Sequence, residues 1–591
     1  MARRLWAGCH ARKRPFLSGR TLLLEAATTA ITLSVMIRRA CVGAILAWLL
    51  LTSASVFAAT KPDLILITVD SVRADRTGFL GARNAVTPNL DRLAAASMVF
   101  EHAYAQAPGT VASHASLLTG CYPQVAGFSE IGGVLPSSLP YLPDLLKAQG
   151  YRTAAFVGSI ELDPVNGLAQ GMDRGFLAYD AGFRPVIPGD ARLPITRRSG
   201  AETVGRAVGW LHQNSQSPFF LWINISDADT GRESYNRSLA LADGAVGRLL
   251  AALKTEKVDG NTAIIVAADH GQSLGAHGES THGIFLYDET IHVPLLVRLP
   301  EGTAAAKRVS AKVRLVDVAP TVLEIASIPV PSQMQGQSLV RVANSGSGDQ
   351  PAYSRADLSQ RGFGWSLLES WRAGKYLYIR APKPELYDMA ADPVAAHNLA
   401  ESSKATLNTM AAQLDSFDRH FSGEAGKASA ELSSSEMQKL ASLGYVGLQQ
   451  GSTHGAAVAG TDPKDKIAVA NRVIEAVPSM LVPARPDVAI AALSRVVAKE
   501  NGLFLAEYAL GVALAQKGQY AEAVKHLHKA IELQPDSSWA HFEIGATLLK
   551  TGDYETAAVH LEIAASRLGA FAPARAALDK ANEQLRGKNE K

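Results

Sequence analysis

Residues 63–70, DLILITVD, form an almost unbroken apolar run that stops at an acid, Asp70. A run of that length without polar alternation suits a strand buried on both faces, as in a parallel sheet covered by helices. Residues 152–157, 219–225 (FFLWINI) and 262–268 (TAIIVAA) repeat the signal, each bounded by polar or turn residues. Amphipathic stretches at 139–149 and 235–254 lie between them and read as helices. From Pro62 to about Pro300 the alternation predicts an α/β fold with a mostly parallel central sheet flanked by helices.

Residues 354–421 make a second block, with a short run at 375–378 and a segment at 385–398, and are expected to form a small α+β subdomain. Residues 431–447 read as a helix, and 449–460, rich in Gly, Ser, Thr and Ala, as a flexible linker. Past it the chain repeats. Gly511, Gly518, Tyr520, Ala523, Leu527 and Ala530 recur 34 residues later as Gly545, Gly552, Tyr554, Ala557, Leu561 and Ala564. That period, with small residues at helix crossings and an aromatic at the turn, is the tetratricopeptide (TPR) pattern of an all-α solenoid. Ala489 and Leu493, one period upstream, indicate a degenerate earlier repeat whose first helix is residues 466–480. The expected division is a leader at 1–58, the α/β domain at 59–350 and its C-terminal subdomain at 351–425. A helix and linker follow at 426–462, and the repeats at 463–591.

At 47% hydrophobic and 19% charged over 591 residues, the composition excludes a disordered chain. No long basic run occurs, so nucleic-acid binding is not expected. The net charge of +3 is unevenly spread: residues 1–59 hold eight Lys/Arg against Glu25, leaving 50 basic and 54 acidic residues elsewhere. Arg38-Arg39 precede an apolar run at 41–51, and small residues lead to Val56-Phe57-Ala58. This is the pattern of an export signal cut after Ala58, with Met36 as an alternative start. Left uncleaved, the same segment, of about 18 residues, is a membrane tether. Both alternatives place the body outside the cytoplasm, in a periplasmic or extracytoplasmic space. Beyond the leader only Cys121 remains, so no internal disulfide is available and it is expected to be a small buried residue.

Two of the strands end in acids, the first at Asp70 and the fourth at Asp269-His270-Gly271. Ligands of open parallel sheets bind beyond the carboxyl ends of strands. Two carboxylates and an imidazole brought there make a candidate divalent-metal site. Pro108-Gly109-Thr110-Val111-Ala112-Ser113-His114 leads into a helix through Leu118, which puts Thr110 at a helix N terminus that favours an anion. A hydroxyl beside a metal there can be deprotonated and attack phosphorus or sulfur. The ordinary alternative for such a threonine is an N-cap. His270, His277, His282 and His292 crowd into 23 residues, separated by Gly271, Gly275, Gly278 and Gly283, which marks a loop. Only His270 is fused to a strand-end acid.

Together these segments resemble the sulfatase branch of the alkaline phosphatase superfamily over residues 62–420. The matching pieces are Asp70 to Asp75 (DSVRAD), Ser113 to Gly120 (SHASLLTG), Asp269-His270-Gly271 with Thr281-His282-Gly283, and Leu386-Tyr387-Asp388 followed by Asp392-Pro393 and Asn398-Leu399. The resemblance implies Asp70, Asp269 and His270 as metal ligands. Thr110 falls where sulfatases carry the residue oxidised to formylglycine, His114 where an arginine steadies that group, and His282 where a lysine or histidine contacts the sulfate or phosphate. Asp229 falls near a position where relatives place a leaving-group histidine.

The departures carry chemistry of their own. Threonine cannot yield the formylglycine aldehyde, because oxidation at its secondary alcohol gives a ketone. Ser71 replaces the second aspartate of the usual calcium pair, which favours Zn²⁺ or Mn²⁺ over Ca²⁺. The expected protein is an exported metal-dependent hydrolase of phosphate or sulfate esters, phosphoesters preferred, with Thr110 as nucleophile and fourth metal ligand. A second metal on Asp227 or Asp229 with His282 is an alternative. So are a phospho-group transferase acting on a lipid or glycan alcohol, and a degenerate enzyme serving as a scaffold. The repeats are expected to take a protein or peptide partner.

Overall fold

The computed structural model describes residues 61–589 apart from 130, 185–194, 229–233, 302–305, 346–348, 422–432, 444, 446–459 and 481–485. The expected leader, with its export signal or tether, and nearly all of the expected linker lie outside the described residues. Among the described residues no helix is long and apolar enough to cross a membrane.

All four apolar runs are strands: Asp63–Val69, Arg152–Phe156, Phe219–Ile225 and Thr262–Ala268. Asp63–Val69, Phe219–Ile225 and Thr262–Ala268 are buried at every residue, the condition that the absence of polar alternation implied. They sit in an eight-stranded sheet that runs Lys307–Arg314, Met98–Tyr104, His292–Arg298, Thr262–Ala268, Asp63–Val69, Phe219–Ile225, Arg152–Phe156, Ala178–Asp180. His292–Arg298 is antiparallel to both of its neighbours, and every other pair is parallel. The helix Tyr235–Thr255 buries Leu239, Ala242, Val246, Leu249 and Leu253, a stripe at helical spacing.

The second block is a four-stranded antiparallel sheet, Ala352–Ala356, Leu368–Ala373, Tyr376–Arg380 and Glu385–Asp388. The helix Lys404–Phe421 covers it through Phe417, whose ring lies 5.1 Å from that of Trp371. This is the expected small α+β subdomain.

After the helix Ser434–Ser442, seven helices among the described residues run from Pro463–Met480 to Ala572–Asn589. The 34-residue period has a direct steric cause. A Cβ at Gly511 would stand 2.6 Å from Leu527 Cγ, and one at Gly545 the same 2.6 Å from Leu561 Cγ. Gly518 and Gly552, one period apart, turn the chain at φ +79° and +83°. The solenoid also shares one continuous apolar cluster with the small sheet and with residues 284–287. Charged ties cross the same boundary. Lys464 Nζ is 2.7 Å from the buried Glu385, which also accepts from the Tyr287 hydroxyl, and Arg361 meets Asp536 at 3.2 Å.

Inside the solenoid two histidines are buried and neutral. His541 Nε2 donates to the Pro535 carbonyl at 2.9 Å, so its Nδ1 accepts from His560 Nδ1, also at 2.9 Å. Burial lowers the His541 pKa to about 4 and that of His560 well below the ordinary value.

Two outcomes are expected. Gly511→Ala, by forcing a methyl onto Leu527, should destabilise the solenoid by about 1–3 kcal/mol in urea unfolding. Unfolded histidine takes up its proton near pH 6.5 and native His541 only near 4. Stability contributed by His541 is therefore present above about pH 6.5 and lost as the pH falls towards 4, by roughly 3 kcal/mol. Unfolding midpoints measured across that window should fall with pH, and more shallowly in His541→Gln.

Candidate metal and active site

The site follows from sheet register. Val69 pairs in parallel with Ala268 on one side and with Ile225 on the other. The next residue on each of the first two strands, Asp70 and Asp269, therefore leaves the sheet beside the other, at the roughly 4.8 Å spacing of neighbouring strands. Both carboxylates are buried, at 2% and 0% exposure. The adjoining strand supplies Asn224, whose Nδ2 donates to Asp70 Oδ1 at 2.5 Å while its Oδ1 accepts from the Gly158 amide. Asp269 Oδ1 accepts from the amides of Ser71 and His270 at 3.1 and 2.8 Å, with Ser71 in the left-handed region at φ +62°.

The helix Thr110–Thr119 is tied to this strand end by Ser113, whose hydroxyl donates to the Asp269 carbonyl at 2.6 Å. Thr110 is its first residue, follows the extended Gly109, and is 4% exposed. It is not an N-cap; its hydroxyl lies 3.3 Å from His270 Nε2. His270 Nδ1 donates to the Gly271 carbonyl at 2.8 Å, so the Nε2 lone pair faces Thr110 and Asp269 Oδ2, each at 3.3 Å.

Ligating atoms of Asp70, Asp269 and His114 lie within 4.8 Å of one another, the one such grouping among the described residues, and His270 is not in it. His114 is nevertheless the poorer donor. Its Nδ1 hydrogen is held by the Thr110 carbonyl at 2.7 Å, and its Nε2 accepts from the Thr68 hydroxyl at 2.9 Å. Burial, opposed by the bond to the Thr110 carbonyl, lowers its pKa to about 4. Through these two bonds His114 ties the start of the helix to Thr68 on the strand Asp63–Val69, with Nδ1 also 3.6 Å from Asp269 Oδ2.

The donor set fits a divalent cation. Two buried carboxylates at this range repel strongly in a low-dielectric interior, and a cation between them offsets that repulsion. His270 Nε2, 3.3 Å from Asp269 Oδ2, is a further nitrogen donor beside that carboxylate.

His282 joins the site from the loop that follows. Its ring centroid is 4.2 Å from that of His270, and its Nδ1 donates to the Pro108 carbonyl at 3.1 Å. The loop is held in an unfavourable backbone. Leu274 and His277 adopt φ +54° and +50°, conformations costing about 1–3 kcal/mol each in residues with a Cβ. Gly271 allows the close pass of residue 289, since a Cβ there would strike the Glu289 carbonyl. The buried Glu279 braces the far side by accepting from the Ile284 and Phe285 amides. Burial pushes its pKa up to about 7 against the pull of those amides and of His282.

Asp227 accepts from the Gly200 amide at 2.5 Å, at the first residue of the helix Gly200–Asn214. Asp229 lies outside the described residues. His277 stacks on Tyr287 at 3.7 Å, and His292 Nε2 donates to the Glu101 carbonyl at 2.9 Å. Cys121 is buried, as expected. Sequence reasoning missed Asn224, Thr68 and Glu279. A polar residue breaking each of the runs FFLWINI and DLILITV was the available signal for the first two.

Comparison with known proteins agrees with this architecture. The family described as Sulfatase matches residues 62–227 and 224–328, and N-sulphoglucosamine sulphohydrolase, C-terminal, matches 281–419. A TPR repeat matches 511–552. The ulvan-active sulfatase of Formosa agariphila is 26% identical over 415 residues, 60% of this chain and 80% of that protein. Mouse N-acetylgalactosamine-6-sulfatase is 28% identical over 332 residues, 46% of this chain and 64% of its own. Among solved structures, a phosphonate monoester hydrolase of Agrobacterium radiobacter shares the fold with a TM-score of 0.51 at 19% identity, covering 61% of this chain and 96% of that one. With the strand-end carboxylates, the helix start and the histidine loop all in place, residues 62–328 match the Sulfatase family, 281–419 match the C-terminal family of N-sulphoglucosamine sulphohydrolase, and a TPR match follows at 511–552.

Proposed function

We propose that this protein is an exported, metal-dependent hydrolase that cleaves phosphoesters, with Thr110 as the nucleophile in place of formylglycine. The observation that carries this reading is the buried Thr110 hydroxyl, 3.3 Å from His270 Nε2 at the first residue of its helix. The residue at the first helical position is threonine, not a cysteine or serine that could be oxidised to an aldehyde.

Asp70, Asp269 and His270 would hold the cation, Zn²⁺ or Mn²⁺ favoured over Ca²⁺ by the nitrogen donor and by Ser71 in place of a carboxylate. When bound, it supplies Lewis acidity and lowers the pKa of a neighbouring hydroxyl. Thr110, its hydroxyl proton released to water, attacks phosphorus in line; the Oγ–P bond forms as the bond to the leaving alcohol breaks, and that oxygen takes up a proton. The first-turn amides of the helix Thr110–Thr119 and the His282 imidazole receive the oxyanion. Asp229 is the proposed source of leaving-group assistance. Water then attacks phospho-Thr110 and restores the hydroxyl. His114, through the Thr110 carbonyl, keeps the nucleophile in register. The solenoid is proposed to take a protein or peptide partner.

Sulfatases among the relatives make sulfate esters the competing substrate, so both esters belong in one test. The full chain, supplied with Zn²⁺ or Mn²⁺, is expected to hydrolyse a bis-aryl phosphate diester faster than an aryl sulfate. Thr110→Ala should reduce that turnover by about a thousand-fold or more. Aryl sulfate turnover that persists in Thr110→Ala would remove Thr110 from the reaction. Diester cleavage only with an added alcohol acceptor would favour the transferase reading. Asn224→Leu, which releases Asp70, is expected to weaken cation affinity about 10- to 100-fold by calorimetric titration, with the fold retained by circular dichroism.

A further inference from the structure

The first solenoid helix, Pro463–Met480, reaches back to the active-site loop through one side chain. Asn471 Nδ2 donates to the Gly278 carbonyl at 2.7 Å, and its Oδ1 accepts from the Ser280 amide at 3.0 Å. Only an amide, in this one orientation, offers a donor and an acceptor side by side to the two backbone groups. Ile467, one turn earlier on the helix, closes on Gly278 from the same side.

The clamp falls where the loop has the most need of it. Gly275, His277, Gly278 and Gly283 all have positive φ, and such backbone persists only where the surroundings over-determine it. Ser280 is two residues from His282, and the intervening Thr281 carbonyl accepts from the Ser273 amide at 2.7 Å. The helix carrying Asn471 is itself anchored. Lys464 pairs with the buried Glu385, the Lys383 amide donates to Asp462 at 2.9 Å, and the Ser366 amide donates to the Thr461 carbonyl at 3.0 Å.

We infer that Asn471 is a positioning residue for the active site, through which the solenoid's first helix sets the place of His282. The inference rests on the catalytic reading of His282 given above. It makes the repeats part of the catalytic unit: whatever moves that helix moves the histidine.

The test uses the full chain with Asn471→Leu and Asn471→Asp, each alone and combined with His282→Ala. Leucine removes both bonds at similar volume. Aspartate keeps the acceptor for Ser280 and sets a like charge against the Gly278 carbonyl. Hydrogen exchange followed by mass spectrometry should show residues 278–281 exchanging about ten-fold faster in both variants, with the strand Thr262–Ala268 unchanged. Diester kcat should fall about ten-fold with KM within about two-fold, because the oxyanion contact is made chiefly in the transition state. In the His282→Ala background, Asn471→Leu should add less than about a two-fold loss. Unchanged exchange, or losses that multiply, would overturn the inference. Should Asn471→Leu unfold the solenoid, Asn471→Asp carries the same measurements. A wild-type chain that cleaves neither ester defeats the catalytic reading alone. Exchange then still decides whether Asn471 holds the loop.

Discussion

The parallel pairing of Asp63–Val69 with Thr262–Ala268 is the constraint on which the rest of this site depends. Because Val69 is opposite Ala268, the following residues emerge as adjacent acids at one edge of the sheet. Two carboxylates taken out of water are costly unless their charge is answered. The surroundings answer part of it: Asn224 on Asp70, and the Ser71 and His270 amides on Asp269. A slip of one residue by either strand would turn its own acid to the opposite face and separate the two carboxylates.

Hydrogen-bond accounting then divides labour between two buried histidines of similar position. Each has a backbone carbonyl at Nδ1, so each presents Nε2 as its lone pair. For His270 that lone pair faces Thr110 and Asp269; for His114 it is taken by Thr68. Proximity to the acids alone would favour His114, which groups with both of them, and the partner of the second nitrogen argues for His270 instead.

The C-terminal helices are not a module hung from a loose tether. They share an apolar cluster with the small sheet and with residues 284–287, and one of their side chains grips the histidine loop. A loop with several residues at positive φ holds its shape only by contacts from outside itself, and the solenoid supplies two of them.

The sequence alone determined the elements and the chemistry at their ends. Seven-residue apolar runs pointed to buried strands, a 34-residue spacing of glycine against leucine to stacked helix pairs, and the acids and Thr110 to a candidate site. The tertiary structure decided which of these meet. The antiparallel strand His292–Arg298 depends on the path of the chain, since strand polarity leaves no trace in local composition. Asp227, as good an acid in the sequence as Asp70, accepts from the Gly200 amide because folding brings that helix end to it. Asn471 lies 191 residues from the Ser280 amide it holds. Side-chain chemistry is local and legible along the chain; the pairing of donors with acceptors is set by which surfaces the core brings together.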